Sequence, residues 1–229
     1  MQRVFKIVLD KLFALIALII LSPVMVIAGI GIKVSSKGPI IYKATRMGKN
    51  LKPFVIYKFR TMRVGSDIEG SITSINDNRI FLWGDVLRKL KIDELPQLLN
   101  VLQGTMSIIG PRPEDIEIVN NYYTAEEKKT LEVLPGLACP GSIFNYTHGE
   151  QYLSEGNTDD AYVSNLLHEK LALDMYYIEN WSILYDIELV IRTIYVVLIT
   201  TISKKQMPYP KEYLIINKGR KLEVHDDFS

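Results

Sequence analysis

Two adjacent carboxylates, Asp93 and Glu94, open the stretch of sequence with the clearest chemical potential. The stretch covers residues 91–113 and closes on Arg112, which stands between two prolines. One carboxylate can attack an electrophilic centre, and another can hold an oxygen-seeking metal ion. Consecutive residues on a helix point about 100° apart, so the two groups do not easily share one task. The pair therefore predicts a division of labour, in which one carboxylate attacks and the other holds a metal.

A helix is predicted to carry the two carboxylates at its start. Apolar residues recur behind them at helical spacing, at Leu95, Leu98, Leu99 and Leu102. Asp93 is a favourable N-cap, and Pro96 falls in the first turn, where a missing N–H costs nothing. The helix dipole would then favour ionised carboxylates. The alternative is that Asp93 only caps the helix and Glu94 is a solvated acid.

A basic β-hairpin precedes this helix. Residues 40–46 and 53–60 have the composition of two strands, and Gly48-Lys49-Asn50 is a turn sequence. Alternation along the second strand places Lys58 and Arg60 on the same face. Such a face is a candidate phosphate clamp, because lysine and arginine neutralise phosphates well. Two alternatives stay open, a solvated strand face and contact with lipid headgroups.

An uncharged run of 21 residues, 12–32, lies near the N-terminus and is long enough to cross a bilayer. Ser22 and Pro23 stand at its midpoint, where the proline removes a helix hydrogen bond and a neighbouring hydroxyl can bond the freed carbonyl. Lysines and arginines flank both ends, and the positive-inside rule favours the cytoplasm for each. We therefore predict a re-entrant helix-break-helix bent at Ser22-Pro23. A single crossing and a buried soluble helix are the alternatives.

Charge is distributed unevenly along the chain. The net charge of +1 argues against a nucleic-acid binder. The first 64 residues nevertheless hold twelve Lys or Arg against one acid, Asp10, a pattern that favours an anionic membrane surface. The single cysteine, Cys139, cannot form an internal disulfide and fits a reducing cytoplasm. Residues 64–78 and 151–160 are predicted loops. Residues 79–91, 162–179 and 182–203 are predicted helices. The first could lie against the membrane, with core packing as the alternative, and the last could lie in the interface or pack on the N-terminal segment, with a second crossing as the alternative.

Several long motifs occur in order over residues 4–202. They are Ser22-Pro23, Lys37-Gly38-Pro39, Arg46-Met47-Gly48, Tyr57-Lys58-Phe59-Arg60-Thr61-Met62, Asp77, Arg79, Leu87-Arg88-Lys89, the run of residues 93–102, Gly104, Met106-Ser107, Gly110-Pro111-Arg112-Pro113, Pro135-Gly136, Asp174, Tyr177, Trp181-Ser182 and Asp186. With these motifs the chain resembles the bacterial sugar transferases, which are monotopic polyprenyl-phosphate phosphoglycosyl transferases.

The resemblance implies transfer of a sugar-1-phosphate from a UDP-sugar to polyprenyl phosphate, with release of UMP. It implies Asp93 as the nucleophile, which forms a covalent aspartyl-phosphosugar. It also implies Mg²⁺ as the cofactor, associated with Glu94, so that the pair Asp93 and Glu94 forms the metal site. Candidates for substrate and phosphate binding are Lys58, Arg60, Arg88, Arg112 and Asp174. For Arg88 and Arg112, an ion pair with Asp93 or Asp174 is the alternative.

The chain departs from the family pattern at a few positions. Pro-Gly-x-Thr-Gly is replaced by residues 135–139, PGLAC, and the usual Asn-Gly-Arg after it is absent. Phe81 stands for a common threonine and Lys91 for a common serine. We expect these departures to affect sugar recognition and not the phosphoryl chemistry.

The sequence thus predicts an α+β, mainly helical enzyme of a bacterial inner membrane, with its catalytic part in the cytoplasm. The predicted parts are a re-entrant segment (1–36), a catalytic domain with a small β-hairpin and amphipathic interfacial helices (37–205), and a C-terminal tail (206–229). The expected partners are a UDP-sugar, polyprenyl phosphate and the lipid bilayer, and a homodimer is left open. Two rival functions remain, a metal-dependent pyrophosphate hydrolase and a non-catalytic membrane scaffold.

Overall fold

Helices dominate the computed structural model, which describes residues 2–66, 77–149, 161–202 and 207–219. The predicted loop over 151–160 lies outside the described residues, as does most of the loop over 64–78. In chain order the elements are α1 (Gln2–Ser35), β1 (Ile41–Met47), β2 (Pro53–Phe59), α2 (Leu82–Lys89), α3 (Gln97–Gln103), β3 (Ser107–Ile109), α4 (Ile116–Tyr122), β4 (Gly136–Ala138), α5 (Pro140–His148), α6 (His168–Glu179), α7 (Ile183–Ile202) and α8 (Lys211–Ile216). The mainly helical α+β prediction is confirmed.

Helix α1 continues through Pro23 without a gap, so the predicted break is corrected to a proline inside one helix. The physical reason is local. Pro23 has no N–H for the carbonyl of Ile19, and the Ser22 hydroxyl donates to that carbonyl at 2.8 Å instead. Of the described residues, only this helix is long and apolar enough to cross a membrane, by length and composition. Its re-entrant path stays a prediction.

One stripe of α1 packs against the rest of the protein on both sides of Pro23. Buried or half-buried residues recur every three or four positions, at Ala14, Ala17, Leu18, Leu21, Met25, Ala28 and Ile32. Before the stripe, the Lys6 ammonium lies 2.6 Å from Asp186, and the Ser107 hydroxyl donates to Asp10 at 2.5 Å. The remaining faces of α1 are apolar and exposed. These exposed faces, together with the length of the helix, indicate association with a membrane.

The predicted β-hairpin is present. Strands β1 and β2 pair antiparallel from Ile41 opposite Phe59 to Met47 opposite Pro53. Asn50 and Leu51 in the connection have positive φ angles of 55° and 58°, as a tight turn requires. The hairpin packs on α3, and the Asn100 side chain accepts from the backbone N–H of Tyr57 at 3.1 Å.

A second, parallel pair of strands was not predicted. Ser107 of β3 pairs with Gly136 of β4, and Ile109 pairs with Ala138. A Cβ added at Gly136 would lie 2.1 Å from the backbone nitrogen of Gly110, so the two chains approach too closely for a side chain. The pair fixes the segment that leads from β3 into Arg112.

The C-terminal helices cover the other side of this strand pair. Helix α7 buries Leu189 and Val196, while its opposite face exposes a row of apolar residues, Leu184, Ile187, Ile191, Ile194 and Leu198. Helix α8 is fastened to α7 because the buried Glu212 carboxylate accepts from Arg192 at 2.6 Å and from the Tyr185 hydroxyl at 2.7 Å. The exposed apolar row fits the predicted interfacial helix, and its contact with lipid stays a prediction.

Candidate active site

A tight 3₁₀ turn, Ile92–Glu94, carries both carboxylates. Lys91, immediately before it, adopts a left-handed conformation with φ of 55°, and the next α-helix begins only at Gln97. The predicted N-cap at Asp93 is therefore wrong, because the left-handed residue ends α2 and turns the chain into the 3₁₀ turn. Asp93 and Glu94 are 7% and 9% exposed. The alternative of a solvated Glu94 is excluded.

Glu94 is held by cations on two sides. Its Oε2 accepts from Arg112 Nη1 at 3.0 Å, and its Oε1 pairs with Arg112 Nη2. The Lys58 ammonium lies 3.6 Å from the same Oε1. Burial alone would raise the pKa of Glu94, but Arg112 and Lys58 outweigh it and hold this pKa well below its usual range. Glu94 is thus an ionised carboxylate that two cations hold in place.

Asp93 has the opposite surroundings. Its Oδ1 is buried and has no hydrogen-bond partner among the described residues. Burial, reinforced by the negative charge of Glu94, raises the pKa of Asp93, while Lys58, Lys91 and Arg88 partly counter this rise. A buried acceptor without a partner is costly unless a ligand completes it. One carboxylate of the dyad is therefore clamped and the other is left available.

Three cationic side chains face the dyad. Two of them were predicted to bind phosphate, and one was not predicted. Lys58 reaches it from β2 and Arg88 from α2, and the third is Lys91. Together with Arg112, they surround two carboxylates with four cationic side chains. This excess of positive charge suits a dianionic phosphate substrate.

Arg60 is corrected from a phosphate ligand to a structural residue. The side chain is 4% exposed and turns toward the end of α1. Its Nε donates to the Pro39 carbonyl at 2.7 Å, and its Nη1 and Nη2 donate to the Ser36 hydroxyl and carbonyl at 2.7 and 2.8 Å. The guanidinium also lies over the Phe81 ring, 5.5 Å from its centroid. Lys58 and Arg60 therefore do not form one clamp.

Asp174 is buried and contacts two backbone N–H groups and the Cys139 side chain. The residue is 2% exposed, and its Oδ1 accepts from the backbone N–H of Gly141 at 3.1 Å. It also accepts from the backbone N–H of Arg112, and burial raises its pKa to about 6. Its contacts are those of a residue that positions Arg112. For Arg112, the alternative of a side-chain ion pair with Asp93 or Asp174 is replaced by its ion pair with Glu94.

Tyr146, on α5, is the second residue that the sequence analysis missed. Its hydroxyl accepts from Arg112 Nη1 at 3.1 Å, and the Lys91 ammonium lies over its ring, 3.9 Å from the centroid. Lys91 could have been found from its place two residues before the dyad. Tyr146 lies 52 residues beyond Glu94 in the sequence, and no local pattern links them.

The dyad is the place where a divalent metal could bind. Within the described part of the chain, no three His, Cys, Asp or Glu side chains form a cluster able to hold a metal ion. Mg²⁺ is commonly bound by one or two carboxylates, with the remaining positions filled by water and substrate phosphates. The unpartnered Oδ1 of Asp93 beside Glu94 fits that kind of site.

Comparison with known proteins shows which family the chain resembles. The family profile described as bacterial sugar transferase matches residues 1–200. The UDP-glucose:undecaprenyl-phosphate glucose-1-phosphate transferase of Escherichia coli (strain K12) is 34% identical over 197 residues, which cover 85% of this chain and 40% of that protein. The UDP-N-acetylgalactosamine-undecaprenyl-phosphate N-acetylgalactosaminephosphotransferase of Aeromonas hydrophila is 36% identical over 191 residues, covering 83% and 43%.

A relative of similar size also matches. The exopolysaccharide production protein PSS of Rhizobium leguminosarum bv. phaseoli is 34% identical over 206 residues, which cover 85% of this chain and 95% of that protein. The chain thus spans about two fifths of the length of the first two relatives and nearly all of the third.

Proposed function

Because the chain belongs to the bacterial sugar transferase family, we propose that it transfers a sugar-1-phosphate from a UDP-sugar to polyprenyl phosphate and releases UMP. The names of the relatives supply both substrate classes, a UDP-sugar and undecaprenyl phosphate. The reaction would be the first membrane step in the synthesis of a surface glycan.

The unequal surroundings of the two carboxylates carry this proposal. Glu94 is fixed by Arg112 and Lys58, whereas Asp93 Oδ1 is buried without a partner. Hydrogen bonds and ion pairs make a carboxylate oxygen a weaker nucleophile, and of the two residues Asp93 has the oxygen without a hydrogen bond. Asp93 is therefore the attacking group, and Glu94 organises the cations around it.

The reaction proceeds in two displacements at one phosphorus. An Asp93 oxygen attacks the phosphorus that bears the sugar, and the bond to the oxygen bridging the two phosphates breaks, so that UMP leaves with the bonding electrons. An oxygen of polyprenyl phosphate then attacks the same phosphorus, and the bond to Asp93 breaks, which restores the carboxylate. Lys58 and Arg112 neutralise the phosphoryl oxygens during both steps.

Mg²⁺ is the proposed cofactor, with Asp93 and Glu94 as the residues that would hold it. When bound, the ion supplies Lewis-acid polarisation of the phosphate oxygens. The chain itself brings the donor and the cations together and keeps water away from the buried Asp93. Glu94 would have to share its oxygens with Arg112.

The proposed location is the cytoplasmic face of a bacterial inner membrane. The exposed apolar faces of α1 and the apolar row of α7 support a position at the lipid boundary. There the lipid phosphate and the soluble nucleotide sugar can both reach the dyad.

Intact-protein mass spectrometry tests the proposal directly. The purified protein is mixed with Mg²⁺ and a UDP-sugar in the absence of polyprenyl phosphate, after a screen of UDP-sugars for UMP release with the lipid present. We expect an added mass of one sugar phosphate, located on Asp93, that disappears when polyprenyl phosphate is added. Asp93→Asn should form no adduct and lose activity by at least about a thousandfold.

A radiolabelled donor separates the rival functions. Label that moves into the lipid fraction supports the transferase, and label that appears in water as free sugar phosphate supports the hydrolase. A preparation that turns over without ever forming the adduct would contradict the role of Asp93. Intact cellular glycan production by Asp93→Asn would support the non-catalytic scaffold.

A further inference from the structure

One tyrosine links two cations that flank the catalytic dyad. Tyr146 projects from α5 and is half-buried. Its hydroxyl oxygen accepts from Arg112 Nη1 at 3.1 Å, while the face of its ring meets the Lys91 ammonium at 3.9 Å from the centroid. A single side chain thus fixes a guanidinium by a hydrogen bond and an ammonium by a cation–π contact.

The two cations differ in how far their charge is neutralised. Arg112 gives both ends of its guanidinium to Glu94. No carboxylate of the described residues lies within 4.0 Å of the Lys91 ammonium, which rests on the tyrosine ring instead. An aromatic face attracts a cation without cancelling its charge. Lys91 is therefore not neutralised by an ion pair, so an incoming anion can pair with it beside the dyad. Burial lowers the pKa of Lys91, and the nearby Glu94 and Asp93 partly counter this fall.

The backbone at Lys91 supports a defined direction for this side chain. Its left-handed conformation, with φ of 55°, is uncommon for a lysine and lies directly between α2 and the 3₁₀ turn of the dyad. The Lys91 N–H donates to the Arg88 carbonyl at 3.1 Å, and the Lys91 carbonyl accepts from the Glu94 N–H at 3.4 Å. The lysine is therefore fixed to the same turn that carries the dyad.

We propose that Lys91 binds a phosphate oxygen of the nucleotide-sugar donor, and that Tyr146 is a positioning residue which holds Lys91 and Arg112 at the distance the donor pyrophosphate requires. This proposal rests on the proposed function. It adds a donor-binding cation and the aromatic side chain that orients it.

The first experiment measures the donor half-reaction, which is the formation of the adduct from the UDP-sugar alone. Lys91→Gln should raise the donor concentration needed for half-maximal rate by about tenfold to a hundredfold, the loss of one charged hydrogen bond. Lys91→Arg should restore much of the affinity, because it keeps both the charge and the ring contact. Lys129→Gln, at an exposed lysine far from the dyad in the sequence, is the matched control and should match wild type.

A double-mutant cycle separates positioning from packing. Tyr146→Phe keeps the ring and loses the hydroxyl, and Tyr146→Leu loses both. The extra loss of donor affinity from Phe to Leu at position 146 should be clear with Lys91 present and vanish in the Lys91→Gln background. Tyr122→Leu, at an exposed tyrosine of α4, controls for general effects of removing a ring. Thermal unfolding confirms that each variant is folded.

Two results would contradict the proposed roles of Lys91 and Tyr146. Donor affinity of Lys91→Gln equal to that of Lys129→Gln would overturn the binding role of Lys91. An equal Phe-to-Leu loss in both backgrounds would reduce Tyr146 to a packing residue. If the wild-type protein forms no adduct at all, the proposed function itself fails, and that failure is visible before any variant is compared.

Discussion

Asp93 and Glu94 are adjacent in the chain and differ sharply in what surrounds them. Glu94 is clamped by Arg112 and Lys58, and Asp93 Oδ1 is left with no partner among the described residues. Their adjacency in the sequence predicts a division of labour, and the different surroundings support the two roles proposed above. Adjacent residues can therefore differ in chemistry, because their contacts depend on the fold and not on their distance in the sequence.

Lys58 and Arg60 should respond differently to the loss of charge. Arg60→Met removes the donors to Ser36 and Pro39, so we expect a lower thermal midpoint, with a loss of about 3 kcal/mol in the free energy of unfolding, and little change in donor KM. Lys58→Met should instead raise donor KM by about tenfold at nearly unchanged stability. Steady-state kinetics and thermal unfolding of both variants check this. A higher donor KM for a fully stable Arg60→Met protein would contradict the structural role.

Asp174 should make stability depend on pH. Burial raises its pKa to about 6, above the value in the unfolded chain, so the native state binds the proton more tightly. Stability from this group is therefore greatest below about pH 4, falls as the pH rises to about 6, and is level above. Relative to Asp174→Asn, the wild-type protein should lose up to about 3 kcal/mol over this window.

Unfolding curves at several pH values measure the effect of Asp174. Asp85→Asn, at a carboxylate on α2, serves as the control. The same pH slope in wild type and Asp174→Asn would show that the carboxyl does not titrate in this window.

At the residue scale, most of the charged residues around the dyad could be predicted from the sequence. Lys58, Arg88 and Arg112, three of the predicted phosphate-binding residues, lie near Asp93 and Glu94, and their roles stay predictions. Sequence reasoning misplaced Arg60 because alternation along a strand gives the face of a side chain but not the group that the side chain reaches. It missed Tyr146 because a cation–π contact across 55 residues has no signature in a single sequence.

At the scale of elements, the position of α2, which carries Arg88, depends on a close contact between Gly84 and the Thr61 backbone. A Cβ added at Gly84 would lie 2.2 Å from the Thr61 carbonyl oxygen, and that backbone atom cannot move away easily. Gly84→Ala should lower the free energy of unfolding by about 1 to 3 kcal/mol and, by displacing Arg88, reduce the rate of adduct formation. Lys89→Ala, on the exposed side of the same helix, is the control. An unchanged thermal midpoint for Gly84→Ala would contradict this close contact.

Elements with a strong local period were predicted well, and those formed by distant pairing were not. The β-hairpin and the long apolar helix follow from alternation and from a 21-residue uncharged run. The parallel pair β3–β4 joins two three-residue strands that are separated by more than twenty residues. Strands so short carry too little pattern to be recognised, and their pairing depends on the glycines that allow close approach.

At the scale of the whole molecule, the path of α1 through the membrane decides which side the N-terminus faces. Cysteine substitutions can test this with little background, since Cys139 is fully buried. A membrane-impermeant thiol reagent should label Gln2→Cys and Lys129→Cys only after the inner membrane is permeabilised, because a re-entrant helix returns both to the cytoplasm. Labelling of Gln2→Cys in cells with an intact inner membrane would instead support a single crossing.

The attachment of α1 at both of its ends has a consequence for how the helix can tilt in a bilayer. Lys6 and Asp10 fix one end to Asp186 and Ser107, and Trp83 donates to the Ala28 carbonyl at 3.3 Å near the other. A membrane helix that is not attached to another part of the protein adapts to a change in membrane thickness by changing its tilt. A helix fastened in this way is expected to tilt only together with the rest of the protein. We therefore expect the surrounding lipid to deform around α1, and the dyad to keep its depth from one membrane composition to another.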